Sequence, residues 1–98
     1  MDKQLIKQVI QESFDGLWNS EMIAEKILVS DDTVIIGQGS LLDSIAFITL
    51  FSDIEDRLSE KTGTEIFLVL GDIHEFNESK TALNVGILSD YIATIIPD

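Results

Sequence analysis

Residues 43–58 read Asp43-Ser44-Ile45-Ala46-Phe47-Ile48-Thr49-Leu50-Phe51-Ser52-Asp53-Ile54-Glu55-Asp56-Arg57-Leu58. Ile45, Ile48, Phe51 or Ser52, Ile54 and Leu58 recur at three- and four-residue steps, which on a 3.6-residue period draws one core-facing stripe. Asp53, Glu55, Asp56, Arg57 and Glu60 then fall mostly outward. Asp43 and Ser44 are both residue types that cap a helix by accepting an orphan N–H of the first turn. Thr62-Gly63-Thr64 stops it. The spacing predicts a helix over about 44–60 and with it a helical fold.

Toward the N-terminus, Leu5, Ile6, Val9, Ile10, Phe14 and Leu17 predict a first helix over 2–15, with Lys3, Lys7, Gln8 and Glu12 outside and Asp15-Gly16 as its stop. Trp18 is expected to plug the core where that helix ends. Ser20 to Ile27 has the composition of a short helical turn. Residues 28–43 read as an ordered loop whose apolar residues plug the core. Val34-Ile35-Ile36 has strand character, but Gly37, Gly39 and Ser40 bound it tightly and no alternating partner strand is evident.

Toward the C-terminus, Glu65 to Leu70 is expected to be a buried extended connection, and Ile73-His74-Glu75-Phe76-Asn77 one short helical turn. Residues 81–96 predict the last helix, with Leu83, Ile87, Leu88, Tyr91, Ile92 and Ile95 inward, Thr81 or Asn84 as its cap and Pro97 marking its end. Tyr91 is expected to pack with its hydroxyl at the surface. The expected fold is all-α: a single domain over 1–98, a small bundle of three main helices plus one short helix, with a long loop between the first and second.

Composition narrows the function. The chain has 98 residues, of which 45% are hydrophobic, enough for one folded core. There is no cysteine, so disulfides, thiolate metal sites and a cysteine nucleophile are excluded. The formal charge of -12 disfavours nucleic acid and anionic membrane surfaces and favours basic protein partners. No basic residue stands between Lys26 and Arg57, whereas Asp31, Asp32, Asp43, Asp53, Glu55 and Asp56 all do. The longest apolar runs, such as Ile66 to Leu70, are too short to span a bilayer. Met1-Asp2-Lys3-Gln4 lacks the pattern of a signal peptide, so a cytoplasmic location is expected. His74 is the single histidine, which argues against a transition-metal site. Asp31-Asp32 lacks the spacing of a calcium loop, and no phosphate-cradling glycine loop is present.

Three stretches together resemble acyl carrier proteins: Asp43-Ser44-Ile45 after a long loop, the acid-rich end Asp53-Ile54-Glu55-Asp56-Arg57-Leu58 of the following helix, and Asn84-Val85-Gly86-Ile87-Leu88-Ser89-Asp90-Tyr91-Ile92 as the closing helix. The resemblance covers nearly the whole chain. It implies a 4'-phosphopantetheine arm esterified to Ser44, beside Asp43, by a dedicated phosphopantetheinyl transferase. It implies no catalysis by the chain itself. The arm would hold acyl groups as thioesters and tether them near partner enzymes at high effective concentration. Ser40, a loop serine without a preceding acid, is the weaker candidate.

The resemblance also implies partners, acyl-loading and acyl-transferring enzymes with basic patches, for a monomeric carrier; Ile45, Asp53, Glu55 and Asp56 are the candidate contacts, and Phe47 either contacts a partner as an exposed aromatic or packs against the first loop. A cleft between the second and last helices, near Ile48, Ile54, Leu68 and Ile87, would shelter the cargo. The housekeeping fatty-acid carriers commonly have acids two and five positions after the serine. Here those positions are Ala46 and Thr49, and the bulky Phe47 follows Ala46. This points away from general fatty-acid synthesis and toward a specialised lipid, polyketide or related pathway. An aminoacyl or peptidyl carrier with the same arm has the same pattern. An acidic helical adaptor without a prosthetic group is the reading from a different class.

Overall fold

The computed structural model of the protein describes residues 2–77 and 82–96. In chain order it contains α1 (Lys3–Asn19), β1 (Val34–Ile36), α2 (Ser44–Thr62), α3 (Leu70–Phe76), β2 (Leu83–Asn84) and α4 (Val85–Ile95). The expected all-α bundle of three main helices and a short one is present, and a small two-stranded ladder is added to it.

The bundle is organised by α1. Asp2 caps it by accepting the Leu5 N–H at 2.9 Å, and Ile6, Val9, Ile10, Phe14 and Leu17 form its buried stripe. Both α2 and α4 pack against that stripe. Contrary to expectation, Asp15-Gly16 does not stop the helix, which continues to Asn19. An internal glycine costs about 1 kcal/mol. Burying Leu17 one turn beyond Phe14 contributes about 1.5–3 kcal/mol, so burial wins. Trp18 is correspondingly not a core plug: it is 39% exposed, and Leu17 takes the inward place.

The true end of α1 is a hydrogen-bonded reversal. The Met22 N–H donates to the Leu17 carbonyl at 2.9 Å and the Glu21 N–H to the Trp18 carbonyl at 3.0 Å. Glu21 sits at φ 60, the left-handed conformation that usually calls for glycine at this position. The expected helical turn over Ser20 to Ile27 therefore does not form. The reversal turns the chain so that Met22 and Ile23 pack on the core.

The long loop that follows is pinned to the bundle at several points. The Gln11 side chain donates to the Ile27 carbonyl at 2.9 Å and accepts the Val29 N–H at 2.8 Å, so one amide from α1 holds the loop backbone as a strand would. Lys7 pairs with Asp31 at 2.7 Å. The N–H groups of Val85 and Gly86, at the start of α4, donate to the carbonyls of Thr33 and Asp31. The approach is close: a Cβ on Gly86 would lie 3.1 Å from the Asp31 Cβ.

Val34-Ile35-Ile36 proves to be a strand with a partner. β1 pairs antiparallel with β2 in the register Val34 to Asn84 and Ile36 to Leu83, with an irregularity between. Ile35 does plug the core, at 2% exposed. The last helix accordingly begins at Val85, and residues 83–84 belong to the ladder. Asn84 caps it, accepting the Ile87 N–H at 2.8 Å. Thr81 and Pro97 lie outside the described residues. Leu88, Tyr91 and Ile92 are buried as expected, while Ile87 and Ile95 are half-buried against the core.

In α2 the inward stripe is Ala46, Leu50, Phe51, Ile54 and Leu58. Ile45 and Ile48, expected inside, are 68% and 62% exposed. The first half of α2 is apolar on two sides, and packing on α1 selects the four-residue row 46, 50, 54, 58. Gly63, at φ 71, ends the helix. The connection after it is only half buried: Ile66 and Leu68 point inward, while Phe67 and Val69 are 63% and 49% exposed. α3 starts at Leu70, three residues earlier than expected, and Asn77 closes it.

Two substitutions check the end of α1. Gly16→Ala meets open space and should raise unfolding stability by about 0.5–1 kcal/mol. Glu21→Gly relieves the left-handed backbone and should add up to about 1 kcal/mol. Urea denaturation followed by circular dichroism measures both, and a loss of stability in either variant contradicts the α1 ending described above.

Candidate functional site

Ser44 is the first residue of the 19-residue helix α2, and Asp43 is its cap. The Asp43 Oδ1 accepts the Ala46 N–H at 2.7 Å, and the Phe47 N–H donates to the Asp43 carbonyl at 2.9 Å. The first four N–H groups of a helix have no partner within it. After the cap, those of Ser44 and Ile45 remain without an acceptor among the described residues. They lie at the positive end of the helix dipole, where an anion is favoured. The Ser44 side chain is exposed and makes no hydrogen bond among the described residues.

Ser40 differs in kind. Its hydroxyl donates to the Ile35 carbonyl at 2.7 Å and accepts the Leu42 N–H at 3.2 Å. Those two bonds shape the loop that delivers the chain into α2, so Ser40 holds the site's entrance and its hydroxyl is already committed.

A groove of about 390 Å³ opens beside Ser44. Ile35, Ile36 and Leu42 from the loop, Phe47 from α2 and Leu70 from α3 form its apolar walls. Phe47 is half-buried there, with its ring 4.5 Å from that of Phe51. Neither Leu70 nor the β1 residues stood out as site residues in the sequence. Nothing local marks them, because they reach Ser44 only through the β1–β2 ladder and the fold-back of residues 65–70. The cleft expected near Ile48, Ile54, Leu68 and Ile87 does not form around those residues. Ile48 is exposed and Ile54 is sealed in the core, on different sides of α2.

The acids of α2 have distinct environments. Asp53 pairs with Arg57 at 2.7 Å, and Arg57 also approaches Glu12 of α1 at 3.7 Å. The Asp53 hydrogen bond is the chief reason that the Arg57 guanidinium is held above its ordinary pKa. Glu55 is half-buried, and its Oε2 accepts the Leu68 N–H at 2.7 Å. One turn further along α2, the Ser59 hydroxyl accepts the Ile66 N–H at 2.8 Å. Two α2 side chains thus act as a ladder edge for the extended residues 65–69, which run antiparallel to the helix back toward Ser44. Asp56 is exposed and has no ionic partner among the described residues. Ile45, Ile48, Phe67, Val69 and Leu70 are large apolar residues that remain exposed.

α3 is lightly held. Ile73 is its one buried residue, and no side chain caps its start. Its main support is α4: Phe76 meets Tyr91 edge-on, with ring centroids 5.7 Å apart. Tyr91 is 5% exposed. Burial, then the nearby Asp72 carboxylate, push its phenol above the ordinary 10.0, with the Val69 backbone pulling the other way.

His74 is exposed on α3, and Asp31 and Asp32 are exposed in the loop. No cluster of three or more histidine, aspartate or glutamate side chains able to hold a metal ion occurs among the described residues. Among the same residues no helix is long and apolar enough to cross a membrane. Compared with protein-family models, curated proteins and solved structures, the chain matches none.

Two measurements probe the walls of the site. Glu55→Ala leaves the Leu68 N–H without its charged acceptor and should cost about 1–3 kcal/mol. Glu55→Gln keeps a carbonyl acceptor and should cost less. Amide exchange at Leu68 should speed up in that order, and equal exchange in all three proteins would count against the ladder. Tyr91 is the only tyrosine, so tyrosinate absorbance reports it alone. A phenol whose pKa is raised by folding stabilises the fold below its unfolded pKa, and that contribution is lost as pH rises through the folded value. Stability should therefore fall above about pH 10, and Tyr91→Phe should remove that part of the fall.

Proposed function

We propose that this protein is an acyl carrier whose prosthetic arm, 4'-phosphopantetheine, is esterified to Ser44. The observation that supports this best is the contrast between the two serines at the site. The Ser44 hydroxyl is exposed, has no partner among the described residues and stands at a helix start, whereas that of Ser40 is bound twice. The residues fit the group: an ester on the Ser44 Oγ projects outward without displacing a packed atom, and the N–H groups of Ser44 and Ile45 offer its phosphate donors. Asp43 leaves the site acidic but spends one oxygen on the cap. When bound, the arm supplies the thiol on which an acyl group is carried as a thioester.

The chain's own part is to present and dock. Asp43 and the bonds of Ser40 fix the start of α2. Ile45 and Ile48 are exposed beside Ser44, and Asp56 follows further along the same outer side, an arrangement suited to a partner with an apolar contact bordered by basic groups. Within this reading the chain is cytoplasmic and monomeric. Its partners are a phosphopantetheinyl transferase and the loading and transferring enzymes of a specialised lipid, polyketide or aminoacyl pathway. The exposed apolar residues also suit an adaptor that carries no arm, and one experiment separates the two.

Incubation with coenzyme A, magnesium and a broad-specificity phosphopantetheinyl transferase should add the mass of one phosphopantetheine to the intact protein. Ser44→Ala should abolish the gain. Ser40→Ala should leave the modified residue unchanged while loosening the loop. A folded protein of unaltered mass would falsify the carrier reading and favour the adaptor.

A further inference from the structure

The long loop between α1 and α2 encloses a hollow of about 380 Å³. Small-molecule sites span about 300–1,000 Å³. Its floor is Phe14 of α1, 1% exposed, and its walls are residues 25–28, 32–34 and 39 with 41–42. Each wall is tied down by bonds of its own. Gln11 holds the first through the Ile27 carbonyl and the Val29 N–H. Thr33 anchors the second: its Oγ1 accepts the Ser30 N–H at 2.9 Å, and its carbonyl accepts the Val85 N–H at 2.9 Å. Ser40 holds the third through the Ile35 carbonyl and the Leu42 N–H. The hollow is thus built into the loop and is not slack in its packing.

The lining is mixed. Phe14, Ile27, Val34 and Leu42 give it apolar surface. Leu28 and Leu41 also line it while 90% and 48% exposed, apolar area that an occupant would cover. Glu25, Lys26 and Asp32 supply the charge, two carboxylates to one ammonium, and none has an ionic partner among the described residues. The net charge of -12 adds a long-range attraction for cations and repels anions. Apolar burial then gives the affinity, and charge selects the sign of the ligand.

We propose that this hollow binds a small amphiphilic cation, an amine with a short apolar tail. The tail lies against Phe14, Ile27 and Leu28, and the ammonium faces Asp32 and Glu25. The site needs neither Ser44 nor an arm, so it stands apart from the carrier reading. Leu42 lines both this hollow and the groove beside Ser44, so an occupant meets the segment that leads into α2.

The test titrates the full, unmodified chain with octylamine, octanol, octanoate and ethylamine at neutral pH and follows the backbone amides by NMR. Octylamine should shift the Thr33, Val34 and Gly39 amides along a saturable curve. Octanol should bind about two- to fivefold more weakly, octanoate more weakly still, and ethylamine, a charge without a tail, should not saturate. Asp32 and Leu28 are exposed, so variants at both should fold. Asp32→Asn should lower the octylamine affinity by about two- to fivefold and leave that of octanol unchanged, whereas Leu28→Ser should weaken both. Octanoate binding as tightly as octylamine, saturation by ethylamine, an unaltered octylamine affinity in Asp32→Asn, shifts centred on Ala46 and Phe47 beside Ser44, or no saturable shift at all each overturns the proposal. None of these outcomes touches the carrier reading, which the mass gain at Ser44 decides.

Discussion

Everything in this fold leans on the buried stripe of α1. Ile6, Val9, Ile10, Phe14 and Leu17 are at most 2% exposed, and they give α2 and α4 a common surface to cover. Each such side chain contributes about 1.5–3 kcal/mol by burial. The ion pairs around the bundle are of another order. Lys3 with Asp90, Lys7 with Asp31 and Arg57 with Asp53 all lie at the surface, where pairs are worth about 0–1 kcal/mol. They select among arrangements that the apolar stripe has already made favourable.

The stripe leaves a polar difficulty. A long loop must cross the end of the bundle, and its buried backbone groups need partners. The protein answers with side chains that imitate strands. Gln11 takes both an N–H and a carbonyl from residues 27–29, and Glu55 and Ser59 take the N–H groups of residues 66 and 68. The β1–β2 ladder closes the third side. These three devices also bring Ile35, Ile36 and Leu70 to Ser44. The same hydrogen bonds that satisfy the backbone build the groove, so a change that frees the loop or residues 65–69 disturbs the site without touching Ser44.

Much of this was legible in the residues. The cap candidates (Asp43 or Ser44, Thr81 or Asn84), the stop at Gly63 and the existence of three long helices follow from local chemistry: short polar side chains at helix starts, a glycine after the last periodic residue and apolar residues at helical spacing. The failures were of another kind. Ile45 and Ile48 lie on a stripe as regular as the one buried, and only contact with α1 chooses between them. Asp15-Gly16 carries a local stop signal, but the burial of Leu17 outweighs it. The partner of β1 is two residues long and 47 to 50 positions away, beyond any local pattern. Glu55 looks like a surface acid, and its bond to Leu68 depends on a fold-back invisible in a one-dimensional pattern.

The sequence by itself thus determined what is decided within about one helical turn: the helical class, the pair of residues from which each cap comes and a serine at the mouth of the acidic second helix. Tertiary structure alone decided which face of α2 is buried, that residues 34–36 pair with the start of the last helix, and that Ser44 stands on the rim of an apolar groove while Ser40 is tied into the loop. The physical reason is range. Capping and periodic burial act between near neighbours in the chain, whereas the choice of face and the assembly of the groove depend on which distant backbone groups and apolar surfaces exclude water together.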